Sequence, residues 1–320
     1  MLVFGPVPSR RLGRSLGINN IPPKTCTYAC VYCQLGRTPR LQIERQTFYS
    51  TEDLCDAVTC KLRAAVERHE PVDYLTFVPD GEPTLDENLG ATIAALKPLG
   101  ISIAVITNTS LIWDPAVREA LSLADWVSLK VDAVDETTWR RVDRPHGHLD
   151  LDRIMDGARA FASHYTGTLV TETMLVAGVN VDDATLAATS DFVGELAPKV
   201  AFLSIPTRPP AEPWVAPPDE VAIARAFALF SDRLDHVETL TGYEGNAFAF
   251  TGDAAADILS ITAVHPMRDD AIDAFLTRAG ADTKLVDGLI ADGQLRAPRY
   301  AGHTYYVRTF QRSDVPTEAL

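Results

Sequence analysis

Cysteine, positive charge and long apolar runs are all scarce in this sequence, and each shortage excludes a class of protein. Five of the 320 residues are cysteines, and 29 lysines and arginines face 43 aspartates and glutamates. The resulting net charge of −14 opposes broad binding to a phosphate backbone. No stretch approaches the roughly 18 apolar residues of a membrane span, and Arg10 and Arg11 come before any signal-peptide core could form. We expect a cytoplasmic protein that binds neither DNA nor a membrane.

The rest of the chain predicts an α/β fold. Its apolar share of 46% and charged share of 22% are typical of a globular protein. Strand-like runs alternate with helical patterns at 51–69, 86–99, 114–124, 151–164 and 182–196, so each connection is long enough for parallel pairing. Such units curl into a full or partial barrel, here a partial TIM-like (β/α)6 barrel with active residues at the strand ends. The six predicted strands are 15–21, 73–78, 101–107, 126–132, 168–176 and 200–205.

A second, smaller domain is predicted after Gly252. The alternation ends near the proline-rich run 206–218, one more helix follows at 220–232, and three short helices and a tyrosine-rich hairpin at 298–310 come after 254. This order suggests a partial barrel over 1–252 and a winged-helix-like domain over 253–320. Its third helix is acidic, which argues against DNA. The hairpin carries basic and aromatic residues that suit either RNA and acidic peptides or a structural contact with the barrel, namely Arg296, Arg299, Tyr300, Tyr305, Tyr306 and Arg308.

Three of the five cysteines, Cys26, Cys30 and Cys33, lie within eight residues directly after the first predicted strand. Three thiolates at this spacing can hold one iron–sulfur cube and leave one iron without a protein ligand. An open iron is what reductive cleavage of S-adenosylmethionine (SAM) requires, because the amino and carboxylate groups of the methionine can chelate it. A zinc site would need a fourth ligand, and structural cysteines are the third possibility. The candidate fourth ligands are distant in sequence: Cys55, Cys60, His69, His146 and His148.

The cysteine pattern resembles the signature of the radical SAM superfamily, and the flanking segment from Gly5 to Asn19 resembles iron–sulfur oxidoreductases related to the wyosine (tRNA) synthases. The resemblance implies one 4Fe-4S cluster on the three cysteines and SAM as the second cofactor. It also implies cleavage of SAM to methionine and a 5′-deoxyadenosyl radical that abstracts hydrogen from a substrate. Flavodoxin or ferredoxin would supply the electron.

The same resemblance assigns further residues to the cofactor. The block Asp80-Gly81-Glu82 is similar to one whose backbone carbonyls and acidic side chain receive the methionine ammonium, although Asp80 stands where a glycine is usual. Tyr32 corresponds to an aromatic near the adenine. An ordinary turn with a solvated Glu82, and a core position for Tyr32, remain the alternatives.

Polar residues at two predicted strand ends complete the set. Thr107 and Asn108 end the third strand, and Ser128, Lys130 and Asp132 alternate along the fourth, so those three share one face. Lys130 would meet the methionine carboxylate, by similarity to activase members of the family; an ion pair with Asp132 or an outward-facing Lys130 is the alternative. Weaker candidates for cofactor or substrate contact are Glu172, Asn180, Thr207 and Arg208, and a basic group at Ser9, Arg10, Arg11 and Arg14 suits a phosphate, an acidic substrate or a salt-bridged rim.

The substrate stays open among three classes: a small molecule, a protein partner as in glycyl-radical activases, or tRNA. Cys55 and Cys60 are expected to be inert, and they are too few for a second all-cysteine cluster. A non-enzymatic electron-transfer or zinc-binding protein is the alternative from another class.

Metal analysis distinguishes these classes. We expect protein purified without air to contain roughly four iron and four sulfide per chain, because the open cube needs both. A single zinc per chain, with no sulfide, would contradict the cluster hypothesis.

Overall fold

An eight-stranded sheet organises the computed structural model, which describes residues 1–242, 245–246 and 248–309. The strands lie in sequence order, with β1 antiparallel to β2 and every later neighbour parallel. The strands are β1 Val3–Ser9, β2 Gly13–Ile18, β3 Tyr74–Phe77, β4 Ser102–Thr107, β5 Trp126–Lys130, β6 Thr168–Met174, β7 Val200–Ser204 and β8 Val237–Leu240.

Helices connect the parallel strands. Because right-handed crossovers between sequential parallel strands place the helices on one side, the opposite face of the sheet turns inward as in a barrel. Side-chain oxygens of Ser50, Asp114, Asp135, Asp150, Asp182 and Asp219 accept from backbone N–H groups of the first turns. The helices are α1 Thr51–Glu67, α2 Leu89–Leu96, α3 Pro115–Ser122, α4 Glu136–Val142, α5 Leu151–Ala162, α6 Asp183–Leu196 and α7 Glu220–Ser231.

Successive residues along a strand point to opposite faces of the sheet and so belong to two different apolar layers. On β4, Ile103 and Val105 belong to the large core under the helices, whereas Ala104 packs in a small inner cluster with Trp126 and Phe202. Leu12, from the turn between β1 and β2, joins the inner cluster. The interior is therefore filled at its base by apolar side chains, and space for a ligand is left above them.

The predicted parallel α/β sheet is confirmed, and all six predicted strands are present with shifted ends. Six parallel strands were predicted, and the structure has a seventh, β8. The prediction also missed β1 and α4. β1 contains Pro6 and Pro8, which removes two ladder donors and is tolerated because the strand lies at the sheet edge.

The segment after Gly252 forms three helices and a small sheet, close to the predicted bounds; the last predicted hairpin residue, 310, lies outside the described residues. Phe4 and Val7 of β1 share the apolar core of this segment with residues such as Ile258 and Phe275. The segment therefore packs directly on the edge of the large sheet. Its elements are α8 Ala254–Thr262, β9 Met267–Arg268, α9 Asp269–Ala279, α10 Thr283–Ala291, β10 Leu295–Arg296, β11 Arg299–Tyr300 and β12 His303–Arg308, with β12 paired to β9, β10 and β11.

Within the described part of the chain, no helix combines the length and the apolar character needed to span a membrane.

Gly157 lets α5 approach the chain after β4, and its replacement tests that packing. A Cβ at this position would lie 2.7 Å from backbone atoms of Ile112 and Trp113. Gly157→Ala should therefore lower the free energy of unfolding by about 1–3 kcal/mol in urea titrations. Gly194→Ala is the matched control, because its Cβ meets nothing closer than 3.8 Å, and there the helix preference for alanine should stabilise by up to about 1 kcal/mol. Equal effects at both positions would contradict the close contact.

Candidate functional site

A cavity of about 290 Å³ lies above the inner apolar cluster, near the lower limit of ordinary ligand pockets. The loops after β2, β3, β4 and β7 contribute to its wall, together with the β1–β2 turn and the carboxyl ends of β5, β6, β7 and β8. All three clustered cysteines line it. The other predicted site residues in the wall are Tyr32, Asp80, Gly81, Asn108 and Lys130, joined by the weaker candidates Glu172, Thr207 and Arg208 and by Arg10 and Arg11 of the basic group.

The beginning of the cysteine loop is held by the loop after β3. Thr25 pairs with Gly81 in an isolated parallel bridge, and the backbone N–H of Glu82 donates to the Thr25 carbonyl at 3.1 Å. A Cβ on Gly81 would lie 1.9 Å from that carbonyl oxygen, and the residue has a φ of +152°. Only glycine allows this approach, which places the Asp80 loop beside Cys26.

The middle of the cysteine loop is held by the end of α4 and the loop after β7. The Ala29 N–H donates to the Asp143 carbonyl at 3.1 Å, and the Val31 N–H donates to the Val142 carbonyl at 3.0 Å. The Glu212 N–H donates to the Val31 carbonyl at 3.0 Å. Irregular backbone carrying the cysteines is thus fixed by hydrogen bonds on both sides.

The surroundings of the thiols decide their protonation state. Burial raises the pKa of Cys26 to about 12 and raises that of Cys30 well above its usual range. Bare thiols here stay protonated, whereas a bound metal centre would deprotonate them. Asn108 Nδ2 lies 3.6 Å from Cys26 Sγ, and Cys30 Sγ lies 3.4 Å from Asp143 Oδ1, so each sulfur has a polar neighbour.

The donor set fits a cluster better than a single zinc ion. Among the described residues, no group of three or more Cys, His, Asp or Glu side chains could hold one metal ion. Zinc requires its ligands about 2.3 Å from one point. A cube binds each thiolate through a different iron, so its ligands stand further apart while facing one cavity, as these three cysteines do.

Side chains of opposite charge also line the cavity. Glu172 on β6 pairs with Arg11, lies 3.7 Å from Lys130 Nζ, and accepts from Ser204 Oγ at 3.0 Å. Burial raises the pKa of Glu172, but Arg11 and Lys130 outweigh that effect and lower it to about 2. Burial lowers the pKa of Lys130, and Glu172 with Asp132 raises it above its ordinary value. Both groups therefore stay ionised.

Tyr32 lies between this charged group and the cysteines. Its hydroxyl donates to Asp132 and lies 3.3 Å from Asp143 Oδ1, while Lys130 Nζ lies 4.7 Å from the ring centroid. Burial and the neighbouring Asp132 raise the pKa of Asp143. The Cys30 thiol donates to Asp143 Oδ1 at 3.4 Å, so Asp132 and Asp143 act on the site through Tyr32 and Cys30 instead of lining the cavity.

Glu82, predicted to contact the methionine ammonium, lies outside the cavity wall. Its carboxylate is fully buried and accepts from the hydroxyls of Thr84 and Thr107, both at 2.6 Å, and from the Asn108 N–H at 2.7 Å. These bonds join the ends of β3 and β4. Asp80 lines the cavity instead and lies 3.3 Å from Lys24 Nζ; burial raises its pKa to about 6.

Three other predicted site residues, Thr107, Ser128 and Asn180, also lie outside the cavity wall. The Thr107 hydroxyl donates to the Glu82 carboxylate. Ser128 is buried one layer below Lys130, outside the cavity wall. Asn180 closes its own turn, accepting from the Val176 N–H at 2.8 Å and donating to the Asp132 carbonyl at 2.9 Å. Within the basic group, Arg14 pairs with Glu70, which agrees with a salt-bridged rim.

The hairpin tyrosines contact the large sheet. Tyr300 Oη donates to the Pro206 carbonyl at 2.9 Å, and Tyr305 Oη donates to the Thr207 carbonyl at 3.0 Å. At the same boundary, Arg208 donates to Gln34 and lies 3.0 Å from His265 Nε2. Tyr300 and Tyr305 therefore make the structural contact with the barrel that was the alternative to RNA or peptide binding, at two residues that line the cavity.

Several residues at the site were not identified from the sequence. Asp143 follows a helix that was not predicted, Ser204 is one polar residue in an apolar strand, and Gln34 follows the last clustered cysteine. Spacing alone connects none of them to the cavity. The polar position at the end of a predicted strand is the one signal that could have identified Ser204.

Three cysteines from the loop after β2 line one cavity of a mainly parallel α/β sheet, and comparison with known proteins identifies the family. The model of the Radical SAM superfamily matches residues 20–189. The UPF0026 protein MJ1312 of Methanocaldococcus jannaschii is 43% identical over 315 residues, covering 98% of each chain. This chain belongs to the radical SAM superfamily.

Solved structures agree at the level of the fold. A radical SAM methyltransferase from Sphaerobacter thermophilus superposes with a TM-score of 0.51 at 15% identity, covering 71% of this chain and 66% of that one. Streptococcus suis SuiB bound to its precursor peptide SuiA gives 0.52 at 16% identity, covering 72% and 52%. Family membership implies an enzyme that uses a 4Fe-4S cluster and SAM.

The charged group around Glu172 makes a testable contribution to stability. Lowering its pKa from 4.5 to about 2 stabilises the folded chain by about 3 kcal/mol above pH 5, and this contribution is lost as the pH falls towards 2. Urea titrations should show Glu172→Gln well below wild type at pH 7, with the difference shrinking by pH 3.5. Glu195→Gln, in an exposed pair with Arg159, should cost less than about 1 kcal/mol throughout. A pH-independent deficit for Glu172→Gln would contradict the assignment.

Proposed function

We propose that Cys26, Cys30 and Cys33 hold a single 4Fe-4S cluster and that SAM occupies the adjoining cavity. The cluster supplies one electron that splits SAM into methionine and a 5′-deoxyadenosyl radical, which takes hydrogen from the substrate. The observation that carries this proposal is the placement of all three thiols and the charged group around Glu172 on one cavity.

The chain's own residues would bind and orient the cofactor. The backbone of Asp80 and Gly81, beside Cys26, offers carbonyls to an ammonium group, and the charge of Lys130 suits a carboxylate. Tyr32 supplies an aromatic wall, held by its hydroxyl bond to Asp132.

A second set of residues would hold these cofactor-binding residues in position. Glu82 and Thr107 fix the start of the Asn108 loop, and Asn108 lies against Cys26 Sγ. Ser128 supports Lys130 from the layer below on the same strand face. The tight hydrogen bonding of this layer limits water access around the reacting groups.

In our proposal, the segment after Gly252 is a winged-helix-like domain over 253–320, of which 310–320 lie outside the described residues, packed on a partial barrel over 1–252. The order of three helices with a terminal hairpin supports it, with β9 and β12 paired. Since Tyr300 and Tyr305 bond to the carbonyls of the cavity-lining residues Pro206 and Thr207, we propose a covering role for this domain. We place the protein in the cytoplasm, where thiols stay reduced.

The substrate proposal stays at the level of an unidentified C–H donor. A small molecule or a protein partner, as for an activase, suits the cavity and the acidic chain better than tRNA. The relation to wyosine synthases remains a proposal, and the docking of Tyr300 and Tyr305 on the large sheet removes two stacking groups from an RNA surface.

Product analysis tests the proposed reaction. Reconstituted wild-type protein with dithionite and SAM should release 5′-deoxyadenosine and methionine, and Cys30→Ala should reduce release at least about a hundredfold, because a cluster ligand is lost. Cys60→Ala, on the exposed side of α1, is the matched control and should keep wild-type yield. Equal release by wild type and Cys30→Ala, or none by wild type, would refute the proposal.

A further inference from the structure

The outer side of the cysteine loop carries positive charge although the chain as a whole is acidic. Arg37 and Arg40 follow the last clustered cysteine, and Arg141 and Arg144 flank the residues that hold the loop; all four are exposed. Together with Glu212 and Trp214, we call these the arginine surface. Arg40 precedes Leu41, which pairs with Cys26, and Arg141 precedes Val142, whose carbonyl accepts from the Val31 N–H. These residues thus bring four positive charges and one carboxylate to the cysteine loop of a chain whose net charge is −14.

This surface is attached to the residues beside the cysteines. Arg37 follows Gly36, whose N–H donates to the Cys33 carbonyl at 3.1 Å. The Arg144 carbonyl accepts from the Ala29 N–H, next to Cys30, at 3.2 Å. The arginine surface is therefore only a few residues of packed backbone away from two of the proposed cluster ligands.

Glu212 fixes the orientation of two of these arginines. Its carboxylate, with a side chain only 7% exposed, accepts from Arg37 at 2.8 Å and from Arg144 at 2.5 Å, and those side chains are 71% and 42% exposed. Trp214, two residues later, is 49% exposed, while its neighbour Val215 packs against Val31 of the cysteine loop. Preoriented arginines around an exposed tryptophan are typical of protein interfaces.

We infer that the arginine surface docks a small acidic electron carrier, such as a flavodoxin or ferredoxin; this rests on the proposed cluster. One electron would leave the reduced carrier, which is oxidised, and enter the cluster, which is reduced. A basic patch on an otherwise acidic protein attracts an acidic partner at one place and repels it elsewhere, so the charge pattern also orients it. Weak electron-transfer complexes bury less than about 1,200 Å², so such a partner needs only a small docking surface.

A nucleic acid is the less favoured occupant. Its backbone extends beyond one patch, and the remaining surface of this chain would repel it. The patch also surrounds the cysteine loop, where proximity matters for electron transfer.

The test uses cluster reduction, followed by absorbance or electron paramagnetic resonance, with the whole reconstituted chain. Arg40 and Arg141 form no ion pair within the described residues, so Arg40→Glu with Arg141→Glu changes charge without breaking a contact. Arg63→Glu with Lys199→Glu is the control, since both positions are exposed and distant in sequence from the cysteine loop, and the change in net charge is the same. Arg37→Gln with Arg144→Gln is the second variant.

At low salt, reduction of the Arg40/Arg141 variant by reduced flavodoxin should be at least about tenfold slower than for wild type, and the control should change by less than about twofold. Salt should slow the wild type and have little effect on the variant. Dithionite, which needs no docking, should reduce all forms equally. The Arg37/Arg144 variant should show the same dependence on the reductant.

Equal reduction of wild type and both arginine variants by flavodoxin, or a loss matched by the control, would overturn the proposal. Competition by bulk tRNA that disappears in the arginine variants would assign the surface to nucleic acid instead and would also overturn it. Normal reduction by dithionite without release of 5′-deoxyadenosine would refute the proposed function alone, because docking is measured before that step.

Discussion

The close contact between Gly81 and the Thr25 carbonyl determines where the cysteine loop begins, and much of the site depends on it. Without a side chain at residue 81, the loop after β3 lies flat against the loop after β2, so Asp80 and Cys26 reach the same cavity. The bonds from Val142 and Glu212 then fix the later part of the loop. Three thiols thus face one space on a segment without regular secondary structure.

Charge compensation is the second constraint on the site. Lys130 and Glu172 are costly to bury singly, but with Arg11 and Ser204 around them both stay ionised inside the sheet. This arrangement keeps polar groups above an apolar base formed by Leu12 and its neighbours. A superfamily whose reaction passes through a radical benefits from such a closed and rigid wall, because misplaced groups would offer unwanted hydrogen atoms.

The sequence was informative where one residue pattern determines one structure. Apolar alternation identified the six central strands, and the spacing of Cys26, Cys30 and Cys33 identified the loop and the superfamily. It was less informative for β1, whose prolines weaken a strand signal, and for α4, which spans only Glu136–Val142. It could not separate Asp80 from Glu82, because neighbours in a turn point in different directions according to tertiary contacts. Asp143 depends on the same kind of contact.

β1 serves two apolar layers at once. Val3 belongs to the core beneath the helices, and Phe4 and Val7 belong to the core of the C-terminal segment. A cut at Gly252 would therefore leave Phe4 and Val7 in water and remove the covering of an edge strand. The change of pattern at Gly252 therefore marks where one segment of the chain follows another, but the two segments share a core. We expect them to unfold together in a single transition.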